Sequence, residues 1–187
     1  GSAAYALDRT EYNSAVKVYF GGATATDNVL EEVFISSVGG ICDSALADID
    51  IYRTNANQRV ITCRVSNENT PNHGFAARSA GGTMIAFHKE SQGGSSNGVV
   101  PLIAVAKGQG HALRWLDVSQ LTNDCTVTPV NATPNLQAYS NHTVCSTTAL
   151  TAADTAGSAT FDVHGGISDN EPAVSYPAPG ADVARLL

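Results

Sequence analysis

The chain has 187 residues and a mass of 19.3 kDa, enough for one ordinary domain or one lobe of a larger one. Ten Lys and Arg stand against 17 Asp and Glu, a formal net charge of −7, and no basic stripe is present to form a nucleic-acid-binding face. No apolar run approaches the ~18–20 residues that span a bilayer, and a hydrophobic content of 43% argues for a packed core rather than disorder.

Gly1-Ser2 reads as the scar of a cleaved tag and is set aside. Residues 16–20 (Val-Lys-Val-Tyr-Phe) alternate and are β-branched or aromatic, which predicts a strand. The small-residue loop 21–27 follows. Apolar residues at 29, 30, 33, 34 and 38 then predict a helix over 28–38, with Asp27 as its N-cap and Gly39-Gly40 as its stop.

Residues 48–53 and 58–65 alternate as two strands joined by a turn, and 66–74 is a polar loop. Residues 83–88 form an apolar strand running into the Gly/Ser-rich stretch 89–98, and 99–106 predict a short helix with Pro101 in its first turn. The Thr-, Asn- and Ala-rich segment 107–157 has weak periodicity and is expected to be an irregular insertion. Residues 159–164 predict a third strand, Gly165-Gly166 its loop, and Ser168 or Asp169 the opening of a helical turn. Strand, small-residue loop and helix thus recur three times. The segment 177–187 reads as a loop and the beginning of a helix that stops short, as in a truncated or processed chain.

Four cysteines occur, at 42, 63, 125 and 145, without a CxxC pair or zinc-like spacing. Their spacing fits two local disulfides, Cys42–Cys63 and Cys125–Cys145, with the other two connectivities and four free thiols as alternatives. Bridges would imply an oxidising compartment. Asn131-Ala-Thr and Asn141-His-Thr match the glycosylation triplet.

The three loops share one chemical property. Helix N-termini expose unpaired N–H groups, and small residues let a ligand reach the backbone, so such loops bind oxyanions without lysines. In open α/β sheets, ligands gather at the carboxyl ends of strands. The alternative is three ordinary turns.

The sequences Gly22-Ala-Thr-Ala25, Gly94-Ser-Ser-Asn-Gly98 with the following Val-Val-Pro-Leu-Ile103, and Phe161-Asp-Val-His-Gly-Gly-Ile-Ser-Asp169 resemble, in this order, the first-lobe motifs of the phosphate-binding proteins of ABC importers. These are type II periplasmic binding proteins of the PstS kind. The resemblance implies an α/β fold, a mixed sheet flanked by helices, over residues 3–176. It makes the segment 107–157 a disulfide-bearing insertion and 177–187 a truncated crossover to a second lobe.

It also implies a periplasmic or extracellular protein that binds phosphate or a similar oxyanion and delivers it to a membrane ABC permease, with no cofactor and no catalysis. Thr24 would offer its hydroxyl and N–H, Ala25 an N–H, and Ser95 a hydroxyl and N–H. Ser96 and Ser168 lie beside them in the same loops. Asp169 would accept the proton of hydrogen phosphate, or else simply cap a helix. The spacers are longer than is typical of the family, and its second lobe has no counterpart here. Arg53 and Arg59 are possible sources of positive charge but are expected on exposed strand faces. A second reading is an extracellular structural or assembly subunit, with a homo-oligomer as one form, that reuses the scaffold.

Enzyme signatures are missing: no Gly-x-Ser-x-Gly, Walker loop, HExxH or dinucleotide fingerprint occurs. The histidines at 73, 88, 111, 142 and 164 are expected mostly in polar loops, and His164 at a loop edge. Trp115 is expected to be a core or loop anchor.

Overall fold

Alternation at the start of the chain produces β1 (Val16–Gly22), in which Val16, Val18 and Phe20 pack to one side and Tyr19 to the other. The computed structural model describes residues 9–37, 39–43, 49–54, 57–65, 83–111, 113–116, 118, 126–130, 142–146 and 163–169. The expectations for Cys125, His73, the loop 66–74, the triplets at Asn131 and Asn141, the turn after Asp169 and the segment 177–187 lie outside these residues.

Among the described residues, seven strands form one mixed sheet in the order β5-β6-β2-β3-β4-β1-β7. The predicted hairpin is present as β2 (Asp50–Arg53) and β3 (Gln58–Arg64). β3 pairs antiparallel with β4 (Met84–Glu90), and β4 pairs parallel with β1. On the far side of β1 lies β7 (Gly165–Ile167), also parallel. The protein is therefore α/β with a mixed sheet flanked by helices.

Two expectations change here. The segment taken as irregular supplies β5 (Thr126–Val130) and β6 (His142–Ser146), the latter pairing parallel with β2. Of the third strand expected over 159–164, residues 159–162 lie outside the described residues and 163–164 are not strand, whereas Gly165 and Gly166, expected in a loop, are themselves strand residues. Glycine allows this because β7 lies against other backbone. A Cβ on Gly166 would come within 1.9 Å of the Gly98 carbonyl oxygen, and one on Gly22 within 1.8 Å of the Ile167 carbonyl oxygen.

Helix α2 (Asp27–Ile35) covers one face of the sheet, following α1 (Arg9–Ser14) in the chain. Its Phe34 and Ile35 pack with Ile51, Ile61, Cys63, Ile85 and Phe87, and burying each such side chain contributes roughly 1.5–3 kcal/mol. The helix stops at Ile35, short of the expected end. Ile41 and Cys42 return to donate their amides to the carbonyls of Val33 and Phe34 (3.1 and 3.0 Å), groups that a longer helix would have paired internally.

Cys42 is bonded to Cys63 in the middle of this core, across a sequence separation of 21. Cys145 is also disulfide-bonded.

The opposite face carries Tyr12 of α1, the short helix α3 (Val100–Ala106) and the segment around Trp115. Trp115 is a core residue, 2% exposed, with its ring 5.0 Å from that of Tyr19. The histidines are less peripheral than expected: His88 lies inside β4, and His111 and His142 are also buried. The Tyr12 hydroxyl and His88 Nε2 are 2.8 Å apart, and the His88 ring stacks on Tyr19. With both faces covered, every residue of β4 is buried, including the charged Lys89 and Glu90 at its end.

Candidate functional site

β4, β1 and β7 are adjacent and parallel, so their C-terminal ends emerge side by side at one edge of the sheet. The three loops singled out in the sequence begin there.

After β1, Thr24–Thr26 forms a 3-10 turn that runs directly into α2. Thr24 and Ala25 are exposed, whereas Ala23 is 2% exposed and donates its N–H to the Ile167 carbonyl at 2.8 Å. After β4, Gly93 and Gly94 turn the chain through left-handed conformations (φ 87° and 62°) into a second 3-10 turn, Gly94–Gly98. Ser95 is buried there and Ser96 half-buried. After β7, Ser168 and Asp169 are exposed.

The second and third loops touch directly. The Ser95 hydroxyl donates to Asp169 Oδ1, and the Asp169 N–H reaches back to Ser95 Oγ at 3.4 Å. The first loop joins them through the Ala23–Ile167 bond, and the turn 94–98 packs against both β1 and β7. His164 fastens the entry to β7: its N–H donates to the Tyr19 carbonyl (2.9 Å), and its Nδ1 accepts the Tyr19 N–H (3.0 Å). That nitrogen is thereby engaged with backbone.

Beneath the first loop lies a charged network that the sequence reading did not anticipate. Register aligns Arg53 with Arg59 and Arg59 with Lys89 across β2, β3 and β4. Side chains in register share a face, so three cations form a row. The first turns of α2 place Asp27 and Glu31 above them, four residues apart on one side of the helix.

Arg59 bridges both acids, with Nη2 3.2 Å from Asp27 and Nη1 2.8 Å from Glu31. Arg53 holds Glu31 bidentately, its Nε at 2.8 Å and its Nη2 closing the fork. Lys89 Nζ reaches Asp27 at 2.9 Å and Ser91 Oγ at 2.8 Å, and Ser91 Oγ donates in turn to the Asp27 carboxylate.

Two expectations are corrected by this network. Asp27 is not the N-cap: Thr26 holds that position, and the Asp27 carboxylate turns inward to Lys89, Arg59 and Ser91. Arg59 is not on an exposed face, because its side chain is only 12% exposed, and Arg53 at 38% lies at the rim of the network. The detectable signal was the pair Asp27 and Glu31 at i, i+4 together with cations at strand ends, Arg53 at the end of β2, Arg59 at the start of β3 and Lys89 near the end of β4. Burial removes the Lys89 ammonium from water and lowers its pKa, and the hydrogen bond and charge of Asp27 oppose that shift.

On the other face of β4, Glu90 borders a cavity of about 240 Å³ lined also by Gln92, Gly93, Asn97, Leu113 and Arg114. Its carboxylate accepts the Gln58 side-chain amide at 2.8 Å and the Gln92 N–H at 2.6 Å. Burial nonetheless pushes its pKa up, with those two bonds opposing the shift.

Among the described residues, no group of three or more His, Cys, Asp or Glu is placed to hold a metal ion, and no helix is long and apolar enough to cross a membrane. No family model, curated protein or solved structure matches the chain.

Proposed function

We propose that this chain is the first lobe of a type II periplasmic binding protein that captures a small oxyanion, phosphate by preference, for delivery to a membrane ABC permease. The observation that carries this reading is the adjacency of the three loops at the ends of β4, β1 and β7, closed by the Ser95–Asp169 contact. Strand β1 is flanked by β4 on one side and β7 on the other. Its loop leads to the β4 side, and the loop of β4 leads back across it towards β7. Ligands of open α/β sheets settle where connections diverge in this way.

The chemistry favours phosphate. Asp169 Oδ1 receives the Ser95 proton, and a carboxylate has capacity for a further donor at its second oxygen. Hydrogen phosphate brings a proton to that oxygen, and sulfate does not. A carboxylate facing an unprotonated anion is repelled and left unpaired, which disfavours sulfate. The bridge Cys42–Cys63 supports an exported location, because such bonds persist in oxidising compartments.

A second reading is an extracellular assembly subunit built on the same scaffold. It is favoured by Val29 and Val33, which are 59% and 47% exposed one turn apart on α2. Calorimetry on the intact protein with phosphate, arsenate and sulfate tests the binder. Heat from phosphate with weak or no response to sulfate is expected, and silence to all three, or equal affinity for sulfate, removes the assignment. Size exclusion separates the two readings: a monomer whose melting temperature rises with phosphate supports capture, and a polymer indifferent to phosphate supports assembly.

A further inference from the structure

We propose that Lys89 is the positioning residue of the oxyanion site, holding two carbonyls of the β1 loop inward so that the Thr24 amide faces the ligand. The inference rests on the oxyanion reading of the three loops and adds to it the residue that shapes the first of them.

The Lys89 ammonium is 1% exposed and has four oxygens within 3.2 Å for its three protons. Two belong to the side chains of Asp27 and Ser91. The others are the main-chain carbonyls of Gly22 (3.2 Å) and Ala23 (3.1 Å). In a trans peptide the C=O and the following N–H point in opposite directions. A carbonyl pulled down to Lys89 therefore sends the next amide up.

The two peptides meet different fates. The amide after the Gly22 carbonyl is that of Ala23, and it is consumed by the Ile167 carbonyl at 2.8 Å. The amide after the Ala23 carbonyl is that of Thr24. Its carbonyl partner is held twice, by Lys89 and by the Thr26 hydroxyl at 3.0 Å, so the Thr24 N–H is turned away from the core on an exposed residue. Lys89 thus decides which amide of the loop is presented.

The same network sets the local field. Among the described residues, Arg53, Arg59 and Lys89 form their ion pairs with Asp27 and Glu31, three cations on two carboxylates. Glu90, the next residue in β4, points to the opposite face of the sheet, where it meets Gln58, and its charge acts on Lys89 from there. A loop lacking cations of its own lies above a row of three cations paired with two carboxylates of α2, in an acidic chain.

Amide-resolved NMR of the wild-type protein tests the geometry without substitution. In the ligand-free state the Ala23 amide is expected to exchange slowly with solvent and the Thr24 amide quickly. On titration with inorganic phosphate the Thr24 resonance shifts and the Ala23 resonance stays. Slow exchange at Thr24, or a phosphate response at Ala23 in place of Thr24, overturns the inference. Should phosphate move no resonance at all, the oxyanion reading fails, while the exchange pattern still reports on the loop.

Two variants test the role of Lys89. K89M, if folded by near-ultraviolet circular dichroism, is expected to lose about tenfold or more in phosphate affinity and to slow exchange at Thr24. D27N keeps the ammonium and its carbonyl bonds but removes one facing carboxylate, and is expected to bind phosphate about threefold tighter or more. A purely structural network predicts equal or weaker binding for D27N. That outcome, or unchanged affinity in folded K89M, overturns the inference.

Discussion

The Ser95 hydroxyl donates to the carboxylate of Asp169, a residue 74 positions further along the chain. Neither residue needs this bond for the sheet to form, since β4 and β7 do not pair with each other. The contact engages one carboxylate oxygen, and under the proposed oxyanion reading the second would select the ligand. Asp169→Asn should therefore relax discrimination, raising sulfate affinity relative to phosphate by about tenfold or more. Calorimetry with both anions checks it, and an unchanged ratio removes Asp169 from ligand recognition. Ser95→Ala should weaken phosphate binding without a large change in melting temperature.

Glu90 gives a pH signature. Burial raises its pKa above the ordinary 4.5, so the folded state holds a proton that the unfolded chain releases. Its contribution is complete below that ordinary value and declines as pH rises towards the folded-state value, because between the two the native state binds more protons than the unfolded one. Glu90→Gln imitates the protonated form. Urea unfolding from pH 4 upward should show the wild type losing stability relative to E90Q, and parallel curves would contradict the assignment.

The charged row predicts unequal consequences for two arginines. Arg59→Met leaves Asp27 and Glu31 short of a buried partner and should cost about 3–5 kcal/mol. Arg53 is more exposed and screened by solvent, so Arg53→Met should cost about 1 kcal/mol or less. Denaturant titration of both variants separates them, and equal losses would mean that the network is not graded by burial.

Replacing Cys42 and Cys63 together by serine or alanine should lower stability by about 3 kcal/mol, the chain-entropy value for a loop of this length. Both residues are almost wholly buried, so the bond should resist reductant in the folded protein and yield quickly once urea opens the core. Thiol labelling at increasing urea follows this directly.

The elements legible in the sequence were those whose pattern arises locally. Val16 to Phe20, the hairpin around Arg53 and Arg59, and Met84 to His88 all alternate or run apolar, and α2 repeats its apolar residues at helical spacing. β6 was not legible because its five residues, His-Thr-Val-Cys-Ser, sit in a Thr- and Asn-rich segment with little hydrophobic contrast, and β5 contains Pro129, which argues against a strand. β7 escaped because Gly165 and Gly166 favour loops, and the close approach of the Phe20 ring to Gly165 and of the Gly98 backbone to Gly166 shows why side chains are excluded there.

At the candidate site the sequence located the three loops, and the structure brings Ser95 to Asp169. The sequence did not foresee the charges beneath them. A lone Arg or Lys near a strand end reads as solvent-facing until a helix from elsewhere sets a carboxylate over it. Asp27 and Glu31 belong to that helix, and their cationic partners lie between 22 and 62 residues away.

β7 has only three residues, pairs with β1 alone among the described strands, and meets it across about 145 positions of chain. Contacts so distant in sequence are slow to form, and a short outermost strand is among the first parts of a sheet to fray. The carboxylate that would choose the anion thus rides on the last segment to dock. A bound anion bridging Asp169 to the loops of β1 and β4 would act as a clasp, converting a fluctuating margin into a settled one by mass action.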